Sequence, residues 1–401
     1  MNKIVTVVYA IRRGAQDGAG GDAVQLQATR AALSRFGVES CVAYGESELA
    51  ALAPTADIVH IFNLQTPAST LAAIRIARGA NKPVALSTIL WDPEALVATV
   101  AGSLAGLPPR VLLPVRGLVS RTVWAGVSMA PQVLRARMSD SLYAANMLPA
   151  ARMAIRAAAI LLPNSFAEQE QVVNLMPFSE REETRAKSRV VVNGVDSAEL
   201  DAGHDLSQCK WHEQLSRLRE QYPVVALELA RCDRLKNQQG LLRALWFETS
   251  VAIILAGPMS SRSGYCERVR TLANERPGVV LLESVPRDEL GILLRSVDVH
   301  ILPSWGETTG LSTLEAAACG CPTVATTRAP FDEYVGGISF PIDPVRPDTI
   351  RRSLHAALEA PRLRWESGAR RIRSEFTWER AAYQTACAYD EVCTKAVSGT
   401  F

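Results

Sequence analysis

Short, wholly apolar runs recur along the chain with helix-forming stretches between them, and this alternation limits the fold more than any other feature. Residues 4–9, 40–44, 57–62, 83–89, 159–162 and 189–192 are rich in aliphatic and β-branched side chains. A strand with one wet face alternates polar and apolar residues, whereas a continuous apolar run belongs to a strand covered on both faces. Helices on the two sides of a parallel sheet provide that cover. The segment after Gly21, D-A-V-Q-L-Q-A-T-R-A-A-L-S-R-F-G, repeats apolar residues at helical spacing and closes on Gly37, a good left-handed terminator. The strand pattern restarts at 224–230 and runs through 251–256, 279–282, 299–302 and 323–325.

A chain of 401 residues is too long for one core of this kind. Two doubly wound, Rossmann-like α/β domains are therefore expected, over 1–200 and 201–376, with the change falling in the polar stretch 196–223. The remaining residues, 377–401, carry a last helical pattern over 377–395, expected to pack back onto the first domain.

Composition removes several classes of function. Forty-three basic against 41 acidic side chains give a net charge of +2, too small to make nucleic acid a partner. The eight cysteines include no C-x-x-C pair, which argues against a zinc site or a disulfide framework and fits a reducing cytoplasm. The apolar run before Arg12 is short for a signal peptide and reads as a first strand. The longest charge-free run, 58–74, holds His60, Asn63, Gln65 and Pro67, so it is not a membrane span. One region breaks the rhythm: over 96–156, seven arginines (110, 116, 121, 135, 137, 152 and 156) face only Asp140. This basic helical insertion reads either as a solvated face or as a surface for anionic lipid.

The most informative segment is 302–326, L-P-S-W-G-E-T-T-G-L-S-T-L-E-A-A-A-C-G-C-P-T-V-A-T. A strand ends at Leu302, a loop carries Glu307, Thr308, Thr309 and Gly310, and a helix follows to Ala318. A helix start at the carboxyl end of a parallel strand offers unpaired N–H groups and the positive end of the helix dipole, which suit phosphate. Glu307 and Glu315 can border one crevice and accept hydrogen bonds from sugar or ribose hydroxyls. Ser312 to Glu315 also spells a capping box, in which Glu315 would serve only the backbone. A second segment, A-R-C-D-R-L-K-N over 230–237, follows the first strand of the second half and places Arg231 and Lys236 five residues apart. Two cations so placed can neutralise a diphosphate.

These two segments resemble the retaining GT-B glycosyltransferases of family four, with their E-x7-E signature and G-R-L-x-x-x-K-G loop. Departures are Thr308, Thr309 and Ala230. Weaker likenesses extend over most of the chain: Gly20-Gly21, D-I-V-H at 57–60, N-G-V-D at 193–196, A-G-P at 256–258 and F-T-W-E at 376–379. Where the family often has a histidine near the reacting sugar, this chain reads Trp91-Asp92.

The resemblance implies a GT-B fold, two Rossmann-like domains facing a cleft, the first for the acceptor and the second for a nucleotide sugar. It implies that Arg231 and Lys236 stabilise the departing diphosphate, that Glu307 holds donor-sugar hydroxyls, and that Glu315 holds the ribose. Thr309, Gly310 and Leu311 would offer donors to phosphate, with Gly20, Gly21 and Gly257 lining the donor side. Val285 would lie by the base. His60, Asn63 and Asp92 are the acceptor-side candidates. The chain contains no D-x-D, so neither metal nor other cofactor is expected beyond the UDP- or GDP-sugar co-substrate. The acceptor would be a glycan or lipid-linked molecule of envelope or exopolysaccharide synthesis, met in the cytoplasm or on the inner face of the membrane. A sugar-nucleotide epimerase of the same fold and a non-catalytic nucleotide-sugar-binding subunit are the alternatives.

Overall fold

Eleven strands among the described residues form two sheets whose paired strands all run parallel. The structure is a computed structural model that describes residues 5–12, 20–90, 139–203, 205–259, 264–326 and 330–397. The first sheet contains β1 (Val5–Ile11), β2 (Val38–Tyr44), β3 (Ile58–Phe62), β4 (Val84–Ser87) and β5 (Ile160–Leu162), in the order β2-β1-β3-β4-β5. The second contains β6 (Val224–Leu229), β7 (Val251–Ala256), β8 (Val279–Leu282), β9 (Val299–Leu302), β10 (Thr323–Thr326) and β11 (Phe340–Ile342), in the order β11-β10-β9-β6-β7-β8. Counted within its own half, the second sheet has the 3-2-1-4-5-6 order of doubly wound dinucleotide folds.

The chain divides into two compact units, 1–194 with 378–401, and 195–377. Each has its own core. In the first, Val8, Val59, Leu86 and Leu161 on the sheet pack with Ala77, Ile155 and Val172 from helices. In the second, Ile253, Val299, Ile301 and Val324 pack with Leu241, Val269 and Leu354. Central strands buried on both faces account for the unbroken apolar runs: every residue of β3, β4, β7 and β9 is buried.

The junction lies slightly earlier than the sequence pattern placed it. Residues 195–200 belong to the second unit, because the short helix Ser197–Asp201 packs on the helix Arg287–Ser296. Gly291 makes that approach possible, since a Cβ there would lie 1.8 Å from the Leu200 carbonyl oxygen. The last helix, Trp378–Val397, packs against the helix Gly21–Leu33 of the first unit. Its Gln384 Oε1 accepts a hydrogen bond from Val192 N at 3.0 Å.

Residues 189–192, expected as a strand, are not one. Beside β5 there is a single bridge, Leu161 to Ser188. Beyond it, Arg189 N donates to Leu161 O and Val191 N to Pro163 O, but proline has no N–H to donate in return and Val192 N goes to the Gln384 side chain, so the ladder stops. Most of the basic insertion, residues 96–138, lies outside the described residues. Two of its arginines, on the helix Ser139–Ala157, bond within the first unit: Arg152 Nε donates to Leu175 O at 2.6 Å, and Arg156 makes a two-pronged pair with Glu180. Among the described residues no helix is long and apolar enough to cross a membrane.

Candidate functional site

In a doubly wound sheet the connections leave in opposite directions from the two strands at the point where strand order reverses, and a crevice opens at their carboxyl ends. In the second unit those strands are β6 and β9. The loop after β6 carries Arg231 and Lys236, and the loop after β9 carries Glu307, Thr309 and Gly310. Topology thus brings together two segments that are more than sixty residues apart in the chain.

The two loops are joined by hydrogen bonds. Trp305 N donates to Leu235 O at 2.7 Å, and Asn237 Nδ2 donates to Pro303 O at 3.2 Å. Asn237 has φ +65°, a left-handed conformation that asparagine tolerates, and it directly precedes the helix Gln238–Ala244. Between these ties, Lys236 Nζ donates to Glu307 Oε1 at 2.5 Å, with side-chain exposures of 20% and 8%. Ser304 Oγ donates to the same oxygen at 2.5 Å. The Glu307 side chain is therefore nearly buried, and its Oε1 is already engaged.

Arg231 lies at the outer edge of this cluster. Its side chain is half exposed and holds Asp233 Oδ2 through Nε at 3.0 Å and Nη2 at 2.9 Å. Asp233 in turn accepts from Lys236 N at 3.1 Å, so one acid orients both cationic residues. Gly257 supports this loop from below. It has φ +133°, and a Cβ would come within 2.4 Å of the Ala230 carbonyl oxygen. Alanine there would have to move the β6 loop.

Gly310, at φ +60°, caps the helix Leu311–Ala318 and accepts from Thr313 N and Leu314 N. A Cβ on it would strike the Phe331 ring at 2.4 Å, so both backbone and space demand glycine. Thr309 is buried immediately before it. The N–H groups of Leu311 and its neighbours open the helix and have no intrahelical acceptor, which leaves them for an anion.

Glu315 is not a capping-box residue. The helix starts at Leu311 and no side chain caps it, which places Glu315 in the second turn. Thr313 Oγ1 instead meets His300 Nε2 at 3.1 Å in the core. Glu315 Oε1 accepts from Arg287 Nη1 at 2.7 Å. Burial pushes the Glu315 carboxyl above the usual range, and Arg287 opposes that push. Val285 is half-buried in the turn after β8, two residues before Arg287. Arg287, Ser304 and Asp233 were not singled out from sequence. Asp233 could have been, from its place between Arg231 and Lys236; Arg287 lies 28 residues from its partner, and no spacing rule connects them.

The first unit separates its candidates. Gly20, at φ +133°, and Gly21 open the helix Gly21–Leu33, where Ala23 N and Val24 N bond to Gly20 O. His60 belongs to the core rather than to an accessible face. It is 1% exposed, with Nδ1 2.6 Å from Tyr389 Oη and Nε2 2.8 Å from Ser87 Oγ. Desolvation lowers its pKa to about 3, so it stays neutral. Being central in a sheet covered on both faces, β3 buries it. Asn63, at φ +84°, uses its own side chain to close a turn: Oδ1 accepts from Gln65 N at 2.7 Å. Asp92 lies outside the described residues.

Comparison with known proteins bears on this arrangement. Residues 223–359 match the family model for glycosyl transferases group 1. That match lies wholly within the second unit. The matched segment contains both loops and both glutamates. The chain is 31% identical over 246 residues to D-inositol 3-phosphate glycosyltransferase of Acidothermus cellulolyticus, covering 56% of this chain and 51% of that one. It is 24% identical over 199 residues to a GDP-mannose-dependent alpha-(1-6)-phosphatidylinositol dimannoside mannosyltransferase of Mycobacterium tuberculosis, covering 48% and 51%. The matched part thus spans about half the length of these curated relatives. Among solved structures, Anabaena HepE in complex with UDP and glucose superposes with a TM-score of 0.68 at 15% identity, covering 96% of this chain and all of that one. The architecture is that of GT-B glycosyltransferases, two Rossmann-like domains.

Proposed function

We propose that this protein is a retaining glycosyltransferase that moves a sugar from a nucleotide-sugar donor to a hydroxyl of a glycan or lipid-linked acceptor. The observation that carries this reading is the Lys236–Glu307 pair at the switch point of the second sheet, beside Arg231 and the helix start at Gly310. The match of residues 223–359 to the glycosyl transferases group 1 model supports it.

In this reading the diphosphate lies over the Gly310–Leu311 helix start, and Arg231 and Lys236 neutralise the charge that develops as the glycosidic C–O bond breaks. Lys236 exchanges part of its contact with Glu307 for a phosphate oxygen. Glu307 then accepts from donor-sugar hydroxyls, and Glu315 from the ribose. The acceptor oxygen bonds to the anomeric carbon on the face from which the phosphate departs, and its proton passes to that phosphate oxygen. No protein base is required, and the buried, neutral His60 is not one. The cationic side chains and the helix start supply the positive potential without a divalent metal.

The donor is a UDP- or GDP-sugar. The mannosyltransferase relative is named for GDP-mannose, and the HepE structure contains UDP. The first unit takes the acceptor. With arginines over 96–156, it would do so on the anionic inner face of a membrane during envelope or exopolysaccharide synthesis.

The test has two stages. A panel of nucleotide sugars is screened by thermal shift, where ligand at about 100 times its dissociation constant adds about 2.7 kcal/mol. The binding donor is then incubated with candidate acceptors. Free nucleoside diphosphate together with an α-linked product from an α-linked donor supports the reading. An isomerised sugar nucleotide, or tight binding with no turnover on any acceptor, overturns it.

A further inference from the structure

Glu315 has one prominent neighbour that the preceding reading leaves without a task. Arg287 opens the helix Arg287–Ser296 and places its guanidinium between two carboxylates. Nη1 donates to Glu315 Oε1 at 2.7 Å. Nε donates to Glu199 Oε1 at 3.1 Å, and Nη2 to Glu199 Oε2 at 2.5 Å. Glu199 belongs to the helix Ser197–Asp201, and its N–H donates to the capping Asp196 Oδ1 at 3.0 Å. All three side chains belong to the second unit.

A guanidinium is planar and presents its donors in a fixed fork. Glu199 holds two of those donors side by side and so sets the plane of Arg287. The third then meets only one oxygen of Glu315. The Arg287 hydrogen bond uses Glu315 Oε1 and leaves Oε2 outside it. The other cations on the helices packed around Glu315 are directed elsewhere. Arg295 faces Cys319 Sγ, Asp201 and Leu200 O, while Arg373 holds Asp201 and Ala318 O. Arg287 is therefore the one cation hydrogen-bonded to this buried carboxylate among the described residues, and Glu199 is the other charged group acting on it.

We propose that Arg287 is a positioning residue of the nucleotide site. It holds Glu315 as an oriented anion with Oε2 turned to accept from a vicinal diol such as that of ribose, and Glu199 holds Arg287. The inference rests on the assignment of Glu315 to the ribose. An ionised carboxylate accepts at both oxygens, whereas a protonated one carries a hydrogen on one of them and loses that acceptor. Burial drives Glu315 towards the protonated form, and Arg287 opposes this. Without Arg287, nucleotide binding requires Glu315 to lose a proton first.

The test uses the full chain, with UDP and GDP titrated from pH 5.5 to 8.5 by calorimetry. The wild type, measured alongside, corrects for ionisation of the nucleotide's own phosphate. Relative to wild type, Arg287→Gln should bind progressively more weakly as pH falls, approaching about tenfold per pH unit for one linked proton. Arg287→Lys should restore part of the loss. Glu199→Gln removes a negative charge that raises the Glu315 pKa and also the partner that sets the Arg287 plane, so it should weaken binding with no added slope as pH falls; Arg287→Lys serves if Arg287→Gln folds poorly. Glu315→Gln should bind weakly at every pH with no added slope. A loss in Arg287→Gln that is the same at all pH values, or no loss, overturns the proposal even though nucleotide binds. If the wild type binds neither nucleotide, the ribose assignment fails and the proposal falls with it.

Discussion

Glu228 offers the sharpest test of how this core is held. It is the fifth residue of β6, paired in register with Leu255, and it is 1% exposed. Neither carboxyl oxygen has a hydrogen-bond partner among the described residues. Its strand neighbours Ala226 and Leu255 belong to the apolar cluster with Leu241, Tyr265 and Cys266. A polar group buried without a partner costs about 1–3 kcal/mol. Burial holds its pKa well above the ordinary carboxylate value, with Asp233 and Glu307 adding to the rise and Lys236 opposing it. In the unfolded chain the group ionises near the reference value of 4.5. Between that value and the higher folded one, unfolding releases a proton. Wild-type stability therefore falls as pH rises through this window.

Glu228→Leu removes both the stranded polar group and the proton linkage. At pH 8 it should gain at least about 1–3 kcal/mol, read as about 2–4 °C of melting temperature per kcal/mol for a unit of this size. Glu228→Gln removes only the linkage, so it should flatten the pH dependence while gaining less. Urea and thermal unfolding of the three proteins at pH 5, 6.5 and 8 measures this. The advantage of the leucine variant should widen from pH 5 to pH 8. A constant gap, or a leucine variant less stable than wild type at pH 8, refutes the reasoning.

Four further outcomes are expected. Arg231→Ala and Lys236→Ala should each lower kcat by about 10²–10³ in a nucleotide-release assay; the exposed Arg231 variant should keep its melting temperature, and near wild-type turnover in both would remove them from the diphosphate site. Glu307→Gln should slow transfer with nucleotide affinity retained, whereas Glu315→Gln should weaken nucleotide binding, so an inverted pattern would exchange their roles. Turnover should survive EDTA, because the potential comes from Arg231, Lys236 and the Gly310 helix start; loss restored by Mg²⁺ or Mn²⁺ would contradict this. The protein should co-sediment with anionic vesicles at low salt and release near about 0.5 M NaCl, where screening is short-ranged; indifference to such vesicles would favour a soluble acceptor.

The alternation of apolar runs and helical stretches was readable because parallel strands are buried on both faces, and β3, β7 and β9 show this directly. Short edges were not. β11 has a half-exposed, an exposed and a buried residue in three positions, a pattern no different from a loop. Residues 189–192 look like a strand, yet the pairing begun by Arg189 N and Val191 N stops because Pro163 has no N–H to donate back and Val192 N goes to Gln384.

The site shows the same division on a smaller scale. Motif spacing marks Lys236 and Glu307 separately, but only the reversal of strand order between β6 and β9 explains why they meet at 2.5 Å. His60 was misleading for a related reason. A histidine near a strand end can face a crevice, but β3 lies between β1 and β4, so its inner positions are covered. There the imidazole is satisfied by Tyr389 from the last helix, more than three hundred residues away. The Arg287–Glu315 contact has no local trace at all. Its two helices follow different strands, and the acid's position in the second turn of its helix, not its spacing from Ser312, is what frees it from the backbone and offers it to a guanidinium. Chemistry at this site is thus set by where successive helices begin above one sheet, and each such start is fixed locally: Asn237 and Gly310 in left-handed conformations, and Pro286 before Arg287.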